Sequence, residues 1–265
     1  MKFPIYQIDA FTSEVFKGNP AAVCILPHWI EERTMQQIAA ENNLAETAFI
    51  VKEGDDYRIR WFMPHAEIDL CGHATLASAF VIFNYMEENL KEITFLSRSG
   101  NLKAIRNQNN AITLDFPSRP PKLIAIPDEI YGALKFKPVS AHASRDLILV
   151  YNSEEEILKE DPALALLKDL PYLCIVITAR GTTVDFVSRV FDANATSIQE
   201  DPVTGSAHSS LVPFWASQLK KNKFKAKQLS QRTGNLYCQL SNNRVYITGF
   251  AVPFLTGEIN LPNII

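Results

Sequence analysis

The stretch RSGNLKAIRNQNNAITLDF, Arg98 to Phe116, returns without a gap as RTGNLYCQLSNNRVYITGF, Arg232 to Phe250. Six of the 19 pairs are identical, including the R-x-G-N-L opening, at an offset of 134. Self-similarity at one long period decides an architecture before any single element does. Upstream, Cys71-Gly72-His73-Ala74 matches Thr204-Gly205-Ser206-Ala207 at an offset of 133, almost half of the 265 residues. Further upstream, AFIVKEGDDYRIRWF ending at Phe62 matches CIVITARGTTVDFVSRVF ending at Phe191, two β-rich runs around a turn holding Gly54 or Gly181. That offset is 129, so four residues are inserted before the second motif.

Each half therefore reads strand, helix, two strands, glycine turn, helix and a closing pair of strands. The first helix is expected over Glu31–Asn43, where Met35, Ile38, Ala39 and Asn42 approximate one stripe. Its counterpart is expected over Ser153–Leu167, opened by Ser153 with Glu156 as a capping box. The segment Ala74–Met86 after CGH is apolar on nearly every face, and SAHSSLVPFWASQL after TGS is small and apolar too. A helix apolar all round must be buried. The architecture that satisfies this is α/β (α+β): two pseudo-symmetric domains, each a curved mixed sheet wrapped around a central helix. The boundaries predicted are 1–117 and 128–255, with the Pro-rich 118–127 as linker and 256–265 as a C-terminal segment able to return to the first domain.

Apolar residues make up 47% and charged residues 21%, which excludes a disordered, collagen-like or disulfide-scaffold chain. A formal charge of −3 supplies no field for nucleic acid, and the lysines of KKNKFKAK read as a solvated surface. Cys24, Cys71, Cys174 and Cys238 form no C-x-x-C pair, and His28, His65, His142 and His208 show no metal-ligand spacing, so no metal is expected. The weakly polar run ATLASAFVIF is too short to span a bilayer, and the N-terminus lacks an apolar signal core, so a cytoplasmic protein with no membrane partner is expected. Phosphate-loop, dinucleotide and serine-elbow motifs are absent, so no cofactor is expected.

Acid–base types crowd the repeated motifs: Glu46 in NLAETAF, His73 in LCGHAT, Asp201 and Ser206 in EDPVTGSAH. Glu46 has apolar neighbours on both sides, and burial there would raise its pKa toward neutrality, although a turn-bonding carboxylate reads the same way. A ring at a helix N-terminus is disfavoured in its charged form, so His73 is expected neutral. Asp201 and Ser206 read either as site residues or as an Asx turn and a cap. If both glycine turns open buried helices, amides at Gly72, His73, Gly205 and Ser206 are donors for an anion such as a substrate carboxylate, in a cleft expected between the halves.

The ordered segments IYQIDAFTSEVFKGNPAAVCIL, NNLAETAFIV, FMPHAEIDLCGHATLA and EDPVTGSAH resemble the PhzF family of phenazine-biosynthesis-like proteins nearly end to end. The resemblance implies a diaminopimelate-epimerase-like fold and cofactor-independent isomerisation by proton movement on a small carboxylate. It places the shuttling glutamate on Glu46, the imidazole on His73, the second-domain acid on Asp201 with Ser206 beside it, and the anion-holding turns on Gly72 and Gly205. It also makes Asn19 and Thr204 substrate contacts, and Ala45 stands where many members carry Ser. A two-thiol epimerase would need a base at Thr204 to match Cys71, and a hydroxyl is too weak an acid for that. A diaminopimelate-type epimerase and a metabolite-binding protein of the same fold remain the alternative readings. Homodimerisation is expected from the frequency of twofold assemblies.

Overall fold

The runs VCIL, AFIV, LILV and IVIT are continuously apolar instead of alternating, the pattern of parallel strands covered on both faces. In the computed structural model, which describes residues 1–194 and 199–261, those four runs form the two central parallel pairs. The chain divides into a first unit, Met1–Asp115 with the segment from Thr248 onward, and a second unit, Phe116–Ile247.

The first unit runs β1 (Lys2–Ala10), β2 (Asn19–Leu26), α1 (Glu32–Asn42), β3 (Glu46–Glu53), β4 (Asp56–Phe62), β5 (Glu67–Ile68), α2 (Gly72–Val81), β6 (Glu92–Ser97), β7 (Gly100–Arg106) and β8 (Ile112–Pro117). The second runs β9 (Lys122–Ile124), α3 (Asp128–Ala133), β10 (Ser140–Ala143), β11 (Leu147–Val150), α4 (Glu154–Lys159), β12 (Ile175–Arg180), β13 (Phe186–Phe191), β14 (Glu200–Asp201), α5 (His208–Leu219), β15 (Lys223–Gln228), β16 (Gly234–Ser241) and β17 (Arg244–Gly249). A last strand, β18 (Ala251–Asn260), pairs antiparallel with β1 from Lys2↔Asn260 to Ala10↔Ala251.

Two boundaries differ from the expected ones. The returning segment begins at Thr248, not at 256, because the R-x-G-N-L repeat runs through Phe250 and conceals the point where the chain leaves the second unit. The presumed linker is part of the second unit: β9 pairs with β10, Ala141↔Ile124, using the short proline-free run Lys122–Ile124.

The duplication survives in the hydrogen-bond pattern. β1/β2 antiparallel, β2/β3 parallel, β3/β4 antiparallel, β4/β6 parallel and β6/β7 antiparallel recur as β10/β11, β11/β12, β12/β13, β13/β15 and β15/β16. Even a side-chain clamp repeats. Arg60 grips Glu67 with two bonds of 2.7 and 2.6 Å, and Arg189 grips Glu200 with bonds of 2.7 and 3.0 Å.

Helix α2 is the buried axis of the first unit, packing on β1, β2, β3, β7 and β18. Gly72, Ala74, Ala77, Ser78 and Ala79 let strands approach closely, and the hydroxyls of Thr75 and Ser78 bond carbonyls one turn back, at 2.5 and 2.7 Å. Past Val81 the helix widens into a π-turn, Ile82–Met86, where Glu87 N–H bonds the Ile82 carbonyl. α1 is expected and observed at nearly the same place, ended by left-handed Asn43. α4 opens as the capping box requires, with Glu156 N–H bonded to Ser153 Oγ, but stops at Lys159 because Asp161-Pro162 cannot continue it. One core packs α1 with Phe49 and Phe62. Another packs α3 and α4 through Ile130 and Ile157. Each such fully buried side chain contributes about 1.5–3 kcal/mol.

Candidate active site

The first unit delivers four chemically able side chains to the start of α2. Asn19 opens β2, Glu46 opens β3, Cys71 is the residue before α2, and His73 is the second residue of the helix. Gly18 makes the first delivery possible: it sits at φ +65, where a Cβ would meet the Ala10 carbonyl oxygen at 2.1 Å. Phe11 at φ 62 and Phe16 at φ 69 bend the same loop, and the buried Asp9 carboxylate pins it by accepting the Phe16 amide at 2.9 Å. The α1–β3 connection is held by Asn42, whose amide donates to the Thr47 hydroxyl at 3.0 Å.

His73 is 4% exposed and lies between these groups. Its Nε2 is 3.0 Å from Glu46 Oε2, an ion-pair distance, although the ring N–H is not aimed along a good hydrogen bond. Its Nδ1 is 3.0 Å from the Asn19 amide and 3.5 Å from Cys71 Sγ. Burial opposes the charged ring, yet Cys71 and Glu46 raise the His73 pKa well above that of free imidazole. Burial pushes the Cys71 thiol up to about 11, which leaves Glu46 as the neighbour that favours the charged ring. Against the expectation of a neutral His73, the neighbouring carboxylate favours the charged ring and opposes the helix end and the burial.

The donor atoms of Glu46, Cys71 and His73 lie within 4.8 Å of one another, a nitrogen, sulfur and oxygen set able to hold a metal ion. Spacing along the chain hid this group, since its members come from a strand and a helix. Without an ion the three side chains form a proton network in which Glu46 Oε2 makes an ion-pair contact with His73 and no hydrogen bond.

In the second unit, Asp201 ends β14 and accepts the Thr204 hydroxyl at 2.5 Å. Gln228, fully buried, fastens this turn by accepting the Thr204 amide at 2.8 Å and donating to the Asp201 carbonyl at 2.6 Å. Ser230 adds a bond to the Pro202 carbonyl at 2.7 Å. Gly205 and Ser206 sit in a turn ahead of α5, which begins at His208, so they are not the first residues of the helix as expected. Ser206 is bonded to the Arg145 guanidinium at 3.1 Å, while the hydroxyl bonded to Asp201 is that of Thr204. His208 Nδ1–H donates to the Thr204 carbonyl at 2.9 Å, and burial pushes its pKa down to about 4.

Gln228 and Arg145 escaped the sequence reading. Gln228 lies in an ordinary alternating strand, and Arg145 lies in a short turn with no motif of its own.

Two sheet-wrapped helices, each preceded by a glycine turn, with a carboxylate–imidazole pair at one of them, define an epimerase-like fold, and solved relatives agree. The chain aligns over 98% of its length with a PhzF-family protein of Enterococcus faecalis, at 48% identity and a TM-score of 0.95 covering all of that chain. A distant likeness to a hydroxyproline epimerase, at 9% identity and a TM-score of 0.61, covers 97% of this chain and 92% of that one and shows the shared fold. A family model described as phenazine biosynthesis-like protein matches residues 8–257, and the chain belongs to that family. Among curated relatives, an uncharacterized isomerase of Pseudomonas aeruginosa is 46% identical over 98% of this chain and all of its own. A phenazine biosynthesis-like domain-containing protein of Mus musculus is 39% identical over 98% of this chain and 99% of its own. The chain thus belongs to a family several of whose curated relatives are named isomerases. No helix among the described residues is long and apolar enough to cross a membrane.

Proposed function

We propose that this protein is a cofactor-independent isomerase that moves one proton on a small carboxylate-bearing metabolite, with Glu46 as general acid and base. The observation that carries the reading is the 3.0 Å approach of a buried His73 Nε2 to a Glu46 carboxylate oxygen. Glu46 removes a proton from an acidic carbon, the electron pair moves into a new double bond while the old one shifts, and the same proton returns to the carbon two atoms away. Nothing is oxidised or reduced. The imidazolium of His73 stabilises the carboxylate before transfer and polarises a substrate oxygen once Glu46 is protonated. Asn19 Nδ2 donates to His73 Nδ1 when the ring is neutral, and a charged ring requires the amide turned so that its oxygen accepts from Nδ1–H. Amides at the Gly72 and Gly205 turns, with Asp201, Thr204 and Ser206, are proposed to hold the substrate's polar groups.

One residue moving one proton suits a 1,3-shift better than epimerisation, which needs acid and base on opposite faces. The neutral thiol of Cys71 and the engagement of Thr204 by Asp201 support this choice over a two-thiol mechanism. The test is C–H to C–D exchange in D2O, followed by NMR on small carboxylic acids that include dihydro-hydroxyanthranilate and diaminopimelate. Glu46→Gln is expected to bind but to lose exchange by about 10²–10⁴-fold. Wild-type exchange in that variant overturns the proposal, and loss of exchange in Cys71→Ser revives the epimerase reading. Exchange that vanishes on exhaustive metal stripping and returns with one divalent ion transfers the role to a metal held by Glu46, Cys71 and His73.

A further inference from the structure

Two arginines converge on the start of α5, Arg119 through its backbone and Arg145 through its guanidinium. Pro213 lies inside that helix and has no N–H to give the carbonyl four residues back. The Ser209 carbonyl so released accepts the backbone N–H of Arg119 at 2.9 Å, which ties Arg119 to the first turn of α5. Arg145 reaches the same turn from the β10–β11 connection. It grips the buried Asp146 carboxylate with Nε and Nη2, at 3.1 and 3.0 Å, and gives Nη2 to Ser206 Oγ at 3.1 Å. The neighbouring Ser144 and Ser210 hydroxyls bond at 2.8 Å and lock that connection to the helix.

Asp146 is bonded to Arg145, and the Asp201 carboxylate accepts the Thr204 hydroxyl while keeping its charge. Arg145 Nη1 and the whole Arg119 guanidinium have no hydrogen-bond or ion-pair partner among the described residues, although both side chains are half-buried. Burial and the Arg145 charge depress the Arg119 pKa, but a guanidinium stays protonated at any physiological pH. Among the described residues the Asp146 carboxylate is bonded to Arg145 alone, and its charge also acts on Arg119.

The internal repeat supplies an independent argument. Pairing Leu102 with Leu236, the registers carry Phe95 to Ala226, Tyr57 to Phe186, Thr47 to Ile175 and Ala22 to Leu147. Two residues earlier, Pro20 corresponds to Arg145, the neighbour of Asn19. In the first unit this corner sends Asn19 to His73; in the second it sends Arg145 to Ser206, the repeat counterpart of His73.

We infer that Arg145 and Arg119 form an anion-recognition site that selects substrates with a carboxylate, Arg145 by its open Nη1 edge beside Ser206 and Arg119 by its unpaired charge. The inference rests on the isomerase reading for its substrate but not for its binding test. Acetate, malonate and benzoate would each be titrated at constant ionic strength into full-length protein, following arginine side-chain N–H signals by NMR. At least one is expected to saturate, with affinity falling tenfold or more in Arg119→Met and in the paired change Arg145→Met/Asp146→Asn, which leaves no orphaned buried charge. Arg119→Lys is expected to recover most of the loss, which a merely structural role would not require. No saturable response to any of the three anions, or equal affinity in both variants, overturns the inference. Glu46→Gln separates the two proposals: binding with no exchange supports both, exchange in the wild type without anion dependence on the arginines removes only this one, and anion binding with Glu46-independent exchange removes only the isomerase mechanism.

Discussion

The two units share a scaffold down to an Arg–Glu clamp, yet the same three positions hold different chemistry. The first unit has Glu46, Cys71 and His73; the registers place Cys174, Thr204 and Ser206 in their stead. One unit therefore holds an acid–base set around an imidazole paired with a carboxylate, while the other offers hydroxyls beside a guanidinium that cannot give up its proton. The difference teaches that a duplicated fold preserves strand order and core packing, while the few side chains facing the helix start are free to specialise. The histidines say the same. His73 has a carboxylate beside it and a raised pKa; His208 sits among Phe186 and carbonyl groups and has a pKa of about 4.

The contrast can be broken most severely at Glu46. If the first unit alone does proton transfer, Glu46→Gln loses turnover by about 10²–10⁴-fold, whereas Cys174→Ser, at the corresponding place, stays within about twofold. Equal losses would erase the distinction.

Next in size is the pH response of the two histidines. His208 has a folded pKa below its unfolded value of about 6.5, so the unfolded chain binds more protons and stability rises with pH between about 4 and 6.5. The full swing is on the order of 3 kcal/mol, measurable by denaturant unfolding, and His208→Gln should flatten it. His73 has the opposite sign: its contribution is present below pH about 6.5 and is lost as pH rises through its raised folded pKa. Glu46→Gln should bring the His73 ring, followed by NMR, back down.

Smaller effects test the turns that carry each set. Gly18→Ala forces a Cβ against the Ala10 carbonyl at a positive φ and should cost about 2 kcal/mol or more, with loss of exchange as Asn19 shifts. Gln228→Leu leaves the Thr204 amide and the Asp201 carbonyl unpaired and should cost about 1–3 kcal/mol in unfolding, with anion affinity weakened more than the exchange step. A reversed pattern, in which Gln228→Leu abolishes the proton step and Gly18→Ala leaves it intact, would exchange the roles assigned to the two units.

Much of this was legible because repeats and burial write themselves into local sequence. Arg98–Phe116 and its copy became β7–β8 and β16–β17, and the uniformly apolar segments after CGH and TGS became α2 and α5. Glu46, His73 and Asp201 were nameable as residues, and Asn19 only through the family resemblance. The charge on His73 was not, since it depends on a carboxylate 27 positions away reaching 3.0 Å. The short reach of α4 turned on Pro162, and the end of the second unit was masked because the repeat runs past Ile247.

By itself the sequence determined the duplication, the buried helices and the residue types able to move a proton, because each follows from composition and periodicity along the chain. Tertiary structure alone decided which side chains meet: that Asn19, Cys71 and Glu46 surround His73, that Asp201 engages Thr204, and that Arg145 turns to Ser206. Those meetings arise between strands and helices distant in sequence, and the electrostatics that set protonation act over ångströms of space, which no spacing along the chain encodes.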